Sequence, residues 1–191
     1  MRNILKLGLF LCIVAGIAGL SISYVNGITY PIIQEQIEKE KLASFQEVYP
    51  GTGEVKDESN TYLGGNSDSI LTEVNVVYQE NNPVGVIYMA EPVGYSGVIQ
   101  LLVGMDIAKK EITAIKVLSQ TETPGLGTNA QKSFFTDRYK GKSVESVLEV
   151  VTKEPVGDNQ ILAITSATIT SKAVTEGVNA ARQHFLDNFI E

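Results

Sequence analysis

The sequence has no tryptophan, one cysteine and one histidine. Cys12 and His184 together cannot supply the ligand sets that a zinc cluster, a haem attachment or an iron–sulfur centre requires, so no metal site can be drawn from them. A Ser-His-Asp site would have to use His184, near the end of the C-terminal helical pattern, and no nucleophile elbow accompanies it. Positive charge is also scarce. Fifteen Lys and Arg against 22 Asp and Glu give a net charge of −7, with no basic stripe to neutralise phosphates, which argues against nucleic acid as a partner. A hydrophobic fraction of 43% and a modest charged fraction of 19% argue for a folded core and against disorder. Any redox chemistry must therefore come from an organic cofactor.

What the chain does have is a long apolar start. Arg2 and Lys6 precede an uncharged run from Leu7 to about Pro31, most apolar between Leu7 and Val25. That length suits one membrane-spanning helix, which needs roughly 20 mostly apolar residues. Positive charge ahead of the run predicts a cytoplasmic N-terminus and an extracytoplasmic main domain at the cell (inner) membrane. The rival reading is a cleaved signal peptide, whose apolar region is usually about 7–15 residues. Cys12 follows Leu9-Phe10-Leu11, without the small residues usual before a lipidated cysteine, and reads as an apolar residue of the span. The expected organisation is an anchor at 1–30, a charged juxtamembrane helix or stalk at 31–50 and one domain at 51–191.

Residues 51–69, rich in Gly, Asn, Ser and acids, read as irregular surface chain. Four β-favouring runs follow, at 70–78, 84–90, 98–105 and 111–119, joined by short turns that imply an antiparallel meander. A short helix is expected over 130–139 with Phe134 and Phe135 in the core, a strand over 144–152, a loop over 153–158 and a last apolar run at 161–164. The fold class is α+β, a mainly antiparallel sheet with flanking helices gathered on one side, behind an N-terminal transmembrane helix.

The stretch at 163–173 carries the chemistry. Thr165, Ser166, Thr168, Thr170 and Ser171 lie in the lead-in to a helix whose apolar or small residues, Ala173, Val174, Gly177, Val178, Ala181 and Phe185, recur at helical spacing. Free N–H groups and the positive dipole end at such a helix start favour an anion such as a phosphate. Ser171 or Thr170 is the expected N-cap, and Lys172 a possible counter-charge. Upstream, Pro124 fixes one dihedral of 122–127 while Gly125 and Gly127 permit close backbone approach, with Leu126 held between them. Tyr95 stands in a turn between glycines, where it reads as a surface tyrosine or as a neighbour of a planar ligand.

Thr165-Ser166-Ala167-Thr168, followed by Ile169-Thr170-Ser171-Lys172, resembles the flavinylation motif of the FMN-binding domain family. Glu122-Thr123-Pro124-Gly125-Leu126-Gly127 and Gly94-Tyr95-Ser96-Gly97 are similar to two further segments of that family, in the same order. With one anchor in front, the pattern resembles the G-subunit family of Rnf electron-transport complexes. The resemblance implies covalent FMN, esterified through its phosphate to Thr168 by a separate flavin transferase. It also implies partners among the other membrane subunits of an Rnf complex and electron relay in an ion-translocating ferredoxin:NAD oxidoreductase. The 122–127 loop would then present N–H groups and Leu126 to the ring, Tyr95 would lie near it, and Thr165 and Ser166 would donate to the phosphate. Two departures stand out: Ser166 replaces a frequent glycine, and Leu162 replaces a frequent acid six positions before the threonine. The C subunit of a sodium-translocating quinone reductase, a stand-alone extracellular flavin reductase and a cofactor-free anchored module remain as other readings.

Overall fold

The computed structural model describes residues 2–64, 70–154 and 156–190. The chain divides into two compact units, Met1–Leu42 and Ala43–Glu191.

In the first unit the apolar run is helical. Helix α1 spans Arg2–Val48 and continues through Pro31, so the apolar run and the charged stalk form one element. Within it lies a helix long and apolar enough to cross a membrane, by length and composition. Ser21 and Thr29 donate their hydroxyls to the carbonyls of Ile17 and Val25, four residues back, which is how a hydroxyl is satisfied in an apolar helix. Beyond Pro31, Lys39 pairs with Glu35 at 2.7 Å and Gln36 bonds Glu40 at 3.0 Å, the i,i+4 contacts that support an exposed helix.

The second unit is built on a five-stranded sheet, β1 (Glu54–Asp57), β2 (Leu71–Gln79), β3 (Asn82–Ala90), β4 (Gln100–Asp106) and β5 (Glu111–Ser119), in that order and antiparallel throughout. The expected meander is present. Glu80 and Asn81, both at positive φ, form the two-residue turn between β2 and β3, a geometry whose twist matches the flanking strands. Strand β1 and a turn of helix, α2 (Ser59–Tyr62), lie in the segment expected to be irregular. The polar composition of β1 fits its place as an edge strand, exposed along its length. Residues 65–69 of that segment, and Pro155 of the expected loop, lie outside the described residues.

The region expected as one helix over 130–139 is a 3-10 turn at Gly127–Gln131 and a short helix α3 (Ser133–Thr136). Phe135 is fully buried and Phe134 half exposed, so only one of the two expected core rings enters the core. Of the strand expected over 144–152, β6 (Glu149–Val151) pairs, in parallel, with β7 (Gln160–Leu162). The last helix, α4, runs Thr168–Phe189.

Both faces of the main sheet are covered, which is why its strands read as apolar runs with only partial alternation. On one face Val76, Tyr88, Leu101, Val103 and Met105 join the α4 stripe of Ala173, Val174, Val178, Ala181 and Phe185. On the other, Val77, Ile87, Met89 and Leu102 pack with Phe45, Val48 and Tyr49. The helices are therefore not gathered on one side: the last turn of α1 occupies the face opposite α4.

That second face depends on Gly104. A Cβ there would collide with the Val48 carbonyl oxygen and lie 2.5 Å from Thr113 Oγ1. The Thr113 hydroxyl donates to the same Val48 carbonyl, and Lys116 reaches Glu47 at 2.8 Å. Backbone cannot rotate away as a side chain can. Gly104→Ala is expected to cost about 1–3 kcal/mol, read as a lower urea midpoint of the full chain in detergent. A parent-like midpoint would show that the end of α1 is not seated against β4.

Candidate functional site

Three segments far apart in sequence meet at the N-terminal end of α4. They enclose a cavity of about 500 Å³, lined by Tyr95, Glu122, Thr123, Leu126, Gly127 and residues 166–170. That volume lies within the roughly 300–1,000 Å³ of small-molecule sites.

The first segment is a turn closed by the Gly94 N–H on the Gly97 carbonyl at 2.8 Å, between bridged residues Val93 and Val98. It holds Tyr95 at the cavity with 68% of its surface exposed. The second is the loop after β5. Gly125, at φ +77°, turns the chain, its N–H donating to Thr128 Oγ1 at 2.9 Å, while Leu126 N–H goes to the Thr123 carbonyl at 3.1 Å. These two N–H groups are thus spent within the loop, and Gly125 is not part of the cavity wall. What the loop presents is Leu126, 40% exposed.

The third segment is the hydroxyl stretch, and the structure sorts it. Ser171 is fully buried, accepting the Ile164 N–H at 2.9 Å and donating to the Ala167 carbonyl at 2.9 Å. Thr170 is 2% exposed and donates to Glu122 Oε2 at 2.5 Å. Thr165 and Lys172 are exposed and line no part of the cavity. Ser166 and Thr168 remain as cavity-lining hydroxyls, and among the described residues neither has a hydrogen-bond partner.

The expected N-cap is corrected. Ala167, not Ser171 or Thr170, caps α4, and it has no side-chain acceptor to offer. Thr170 and Ser171 lie inside the helix because each hydroxyl is drawn to a partner there, Glu122 and the Ala167 carbonyl. Thr168 is the first helical residue. Ser171 N–H reaches the Ala167 carbonyl at 3.0 Å, but the N–H groups ahead of it have no intrahelical acceptor. No acidic residue occupies the first turn, so this end keeps its affinity for an anion.

Glu122 joins the three segments. It is 5% exposed, with Oε1 accepting the Ser96 N–H at 2.8 Å and Oε2 the Thr170 hydroxyl. Gly127 makes room for it: a Cβ there would fall 2.5 Å from Glu122 Oε2 and 2.8 Å from Thr170 Oγ1. Further along α4, the Tyr139 hydroxyl bonds Thr175 Oγ1 at 2.7 Å, and burial pushes the Tyr139 phenol above its ordinary pKa.

Two cavity residues escaped the sequence reading, Ala167 and Ile169. Ile169 is 55% exposed at the second helical position, outside the apolar stripe. A large apolar side chain between two threonines, off the core face, was the available signal.

Ser166 explains one departure from the glycine pattern. It sits at φ +64°, a conformation that costs a Cβ-bearing residue about 1–2 kcal/mol. Glycine relieves that strain but adds freedom to the unfolded chain worth about 0.4–1 kcal/mol. Ser166→Gly is expected to be neutral to about 1 kcal/mol stabilising, as a urea midpoint at or above that of the parent.

The donor set suits FMN: uncapped helical N–H groups for a phosphate, free hydroxyls beside them, and Leu126, Ile169 and Tyr95 as apolar surface for a ring. The sheet-and-helix domain with this cavity is a cofactor-binding module, and residues 94–183 match the FMN-binding domain. Residues 1–48 match the RnfG N-terminal region. The G subunit of the Na(+)-translocating ferredoxin:NAD(+) oxidoreductase complex of Acetobacterium woodii is 35% identical over 95% of this chain and 91% of its own length. The G subunit of the proton-translocating complex of Clostridium ljungdahlii is 42% identical over 53% of each chain. Among solved structures, the C subunit of the Na(+)-translocating NADH-quinone reductase of Parabacteroides distasonis is similar, with a TM-score of 0.51, 27% identity and 62% of each chain covered. The chain belongs to the family of G subunits of Rnf ion-translocating oxidoreductase complexes.

Proposed function

We propose that this chain is a membrane-anchored flavoprotein that carries FMN as a phosphoester on Thr168 and relays electrons within an ion-translocating ferredoxin:NAD oxidoreductase. The observation that carries the reading is the position of Thr168, a free hydroxyl at the first residue of an uncapped helix, opening on a cavity walled by Leu126, Ile169 and Tyr95. The relatives named above, one translocating sodium ions and one protons, support membership in such a complex.

In this reading the α4 N–H groups receive the phosphate, and Leu126, Ile169 and Tyr95 shield the ring. Thr165 and Lys172, expected at the phosphate, are left in solvent. When bound, FMN supplies reversible one- and two-electron transfer. Attachment forms the Thr168 Oγ1–phosphorus bond and breaks the pyrophosphate of FAD. AMP leaves, and the hydroxyl proton passes to the attaching enzyme, since no side chain of this chain bonds the Thr168 hydroxyl among the described residues. In this reading a separate flavin transferase, which the family resemblance implies, is the maturation partner. The N-terminus lies in the cytoplasm, the domain on the outer side, and the other membrane subunits exchange electrons with it.

Ser166 is a second free hydroxyl on the same wall, so the test must locate the ester. The full chain is purified from cells with a flavin transferase, denatured, weighed and peptide-mapped. The expected result is one FMN-sized addition, localised to Thr168, with yellow colour surviving denaturation. A colourless protein, or an addition on Ser166, overturns the assignment.

A further inference from the structure

We infer that Glu122 is a positioning residue that fastens the walls of the flavin cavity together, and that its charge holds down the potential of the flavin there. The second half rests on the function proposed above. The sequence alone suggested a cofactor contact, but both carboxylate oxygens are turned to the protein. Oε1 takes the Ser96 N–H, 26 residues away, and Oε2 takes the Thr170 hydroxyl, 48 residues away. The two bonds join the Tyr95 turn and the first turn of α4 through one side chain.

The space around Glu122 is reserved for it. A Cβ on Gly94 would come within 2.6 Å of Oε1, and one on Gly127 within 2.5 Å of Oε2. Among the described residues no Lys, Arg or His pairs with this carboxylate. Its charge is met by two charge-assisted hydrogen bonds, from the Ser96 N–H and the Thr170 hydroxyl. Burial without a cation leaves the field of the charge poorly screened inside the cavity that it lines. Reduction adds electrons to the flavin, so a fixed negative charge beside it opposes reduction. The bond to Glu122 also occupies the Thr170 hydroxyl, leaving Thr168 and Ser166, among the described residues, as the free hydroxyls that the 165–171 stretch offers to the cavity.

Two variants of the full-length chain separate position from charge. Glu122→Gln can keep both contacts, its carbonyl accepting from Ser96 and its amide donating to Thr170 Oγ1, while the charge is lost. Glu122→Ala loses both contacts. In a Thr168→Val background, free of covalent flavin, amide exchange at Ser96 is expected to be at least tenfold faster with Glu122→Ala and within about threefold of the parent with Glu122→Gln. Parent-like exchange in the alanine variant overturns the positioning role. If that variant does not fold, Thr170→Val carries the test: loss of one tether should raise Ser96 exchange at least threefold, and no change overturns the role. In flavin-loaded protein, Glu122→Gln is expected to raise the midpoint potential, and an unchanged potential overturns the electrostatic role. A parent chain that never acquires flavin defeats the functional proposal and the potential with it, while the exchange measurement still decides the positioning role.

Discussion

Thr168→Val is expected to abolish covalent flavin completely while leaving the fold at parent stability. Valine keeps the branched shape of threonine and has similar helix propensity, so α4 can start at the same place. The Thr168 side chain is only partly buried and its hydroxyl bonds nothing among the described residues. Removing that oxygen therefore leaves no buried partner unsatisfied, and flavin-free variant and flavin-free parent should unfold within about 0.5 kcal/mol of each other. The chemical effect is all or none, because the ester has no oxygen to form through. Intact-mass measurement should show the FMN-sized addition in the parent and none in the variant. Ser166→Gly is the control on the same wall and should keep the addition in full. A flavinylated Thr168→Val protein would place the bond elsewhere.

The largest loss of stability is expected from Phe185→Ala. Phe185 is fully buried at the far end of the α4 stripe and stacks on Phe189 at 5.9 Å between centroids. Truncating a buried phenylalanine costs about 3–5 kcal/mol, a large share of the 5–15 kcal/mol that usually holds a domain together. The melting temperature of the domain should fall on the order of 10 °C. Because α4 also carries Thr168 and Thr170, flavin loading in cells should fall with the folded fraction. Phe134→Ala is the contrast. Phe134 is half exposed, with the Arg138 guanidinium 5.7 Å from its ring centre, and its truncation should shift the melt by a small fraction of that amount. Equal losses from the two phenylalanines would contradict the burial pattern.

Phe134 and Phe135 show where sequence reading runs out. They are adjacent, equally apolar and equally eligible for the core; only the turn of α3 decides which faces inward. The α4 stripe was legible because a helix of 22 residues repeats its period often enough to separate the faces. The four long strands were legible as runs, but β1 was not, since an exposed edge strand carries no apolar pattern. Ser171 and Thr170 looked like caps because hydroxyls favour helix starts, whereas Ala167 occupies the cap and both hydroxyls have partners inside the fold.

The sequence by itself determined the apolar N-terminal helix, the antiparallel meander, the amphipathic last helix and the family of the site. Each is written in local chemistry: run length, turn residues, helical period and short motifs. Only the tertiary structure decided that the end of α1 fills the second sheet face, and which hydroxyls remain free. The same holds for the role of Glu122 between Ser96 and Thr170. Those outcomes depend on side chains tens of residues apart competing for the same donors, acceptors and space, and no local pattern records who wins that competition.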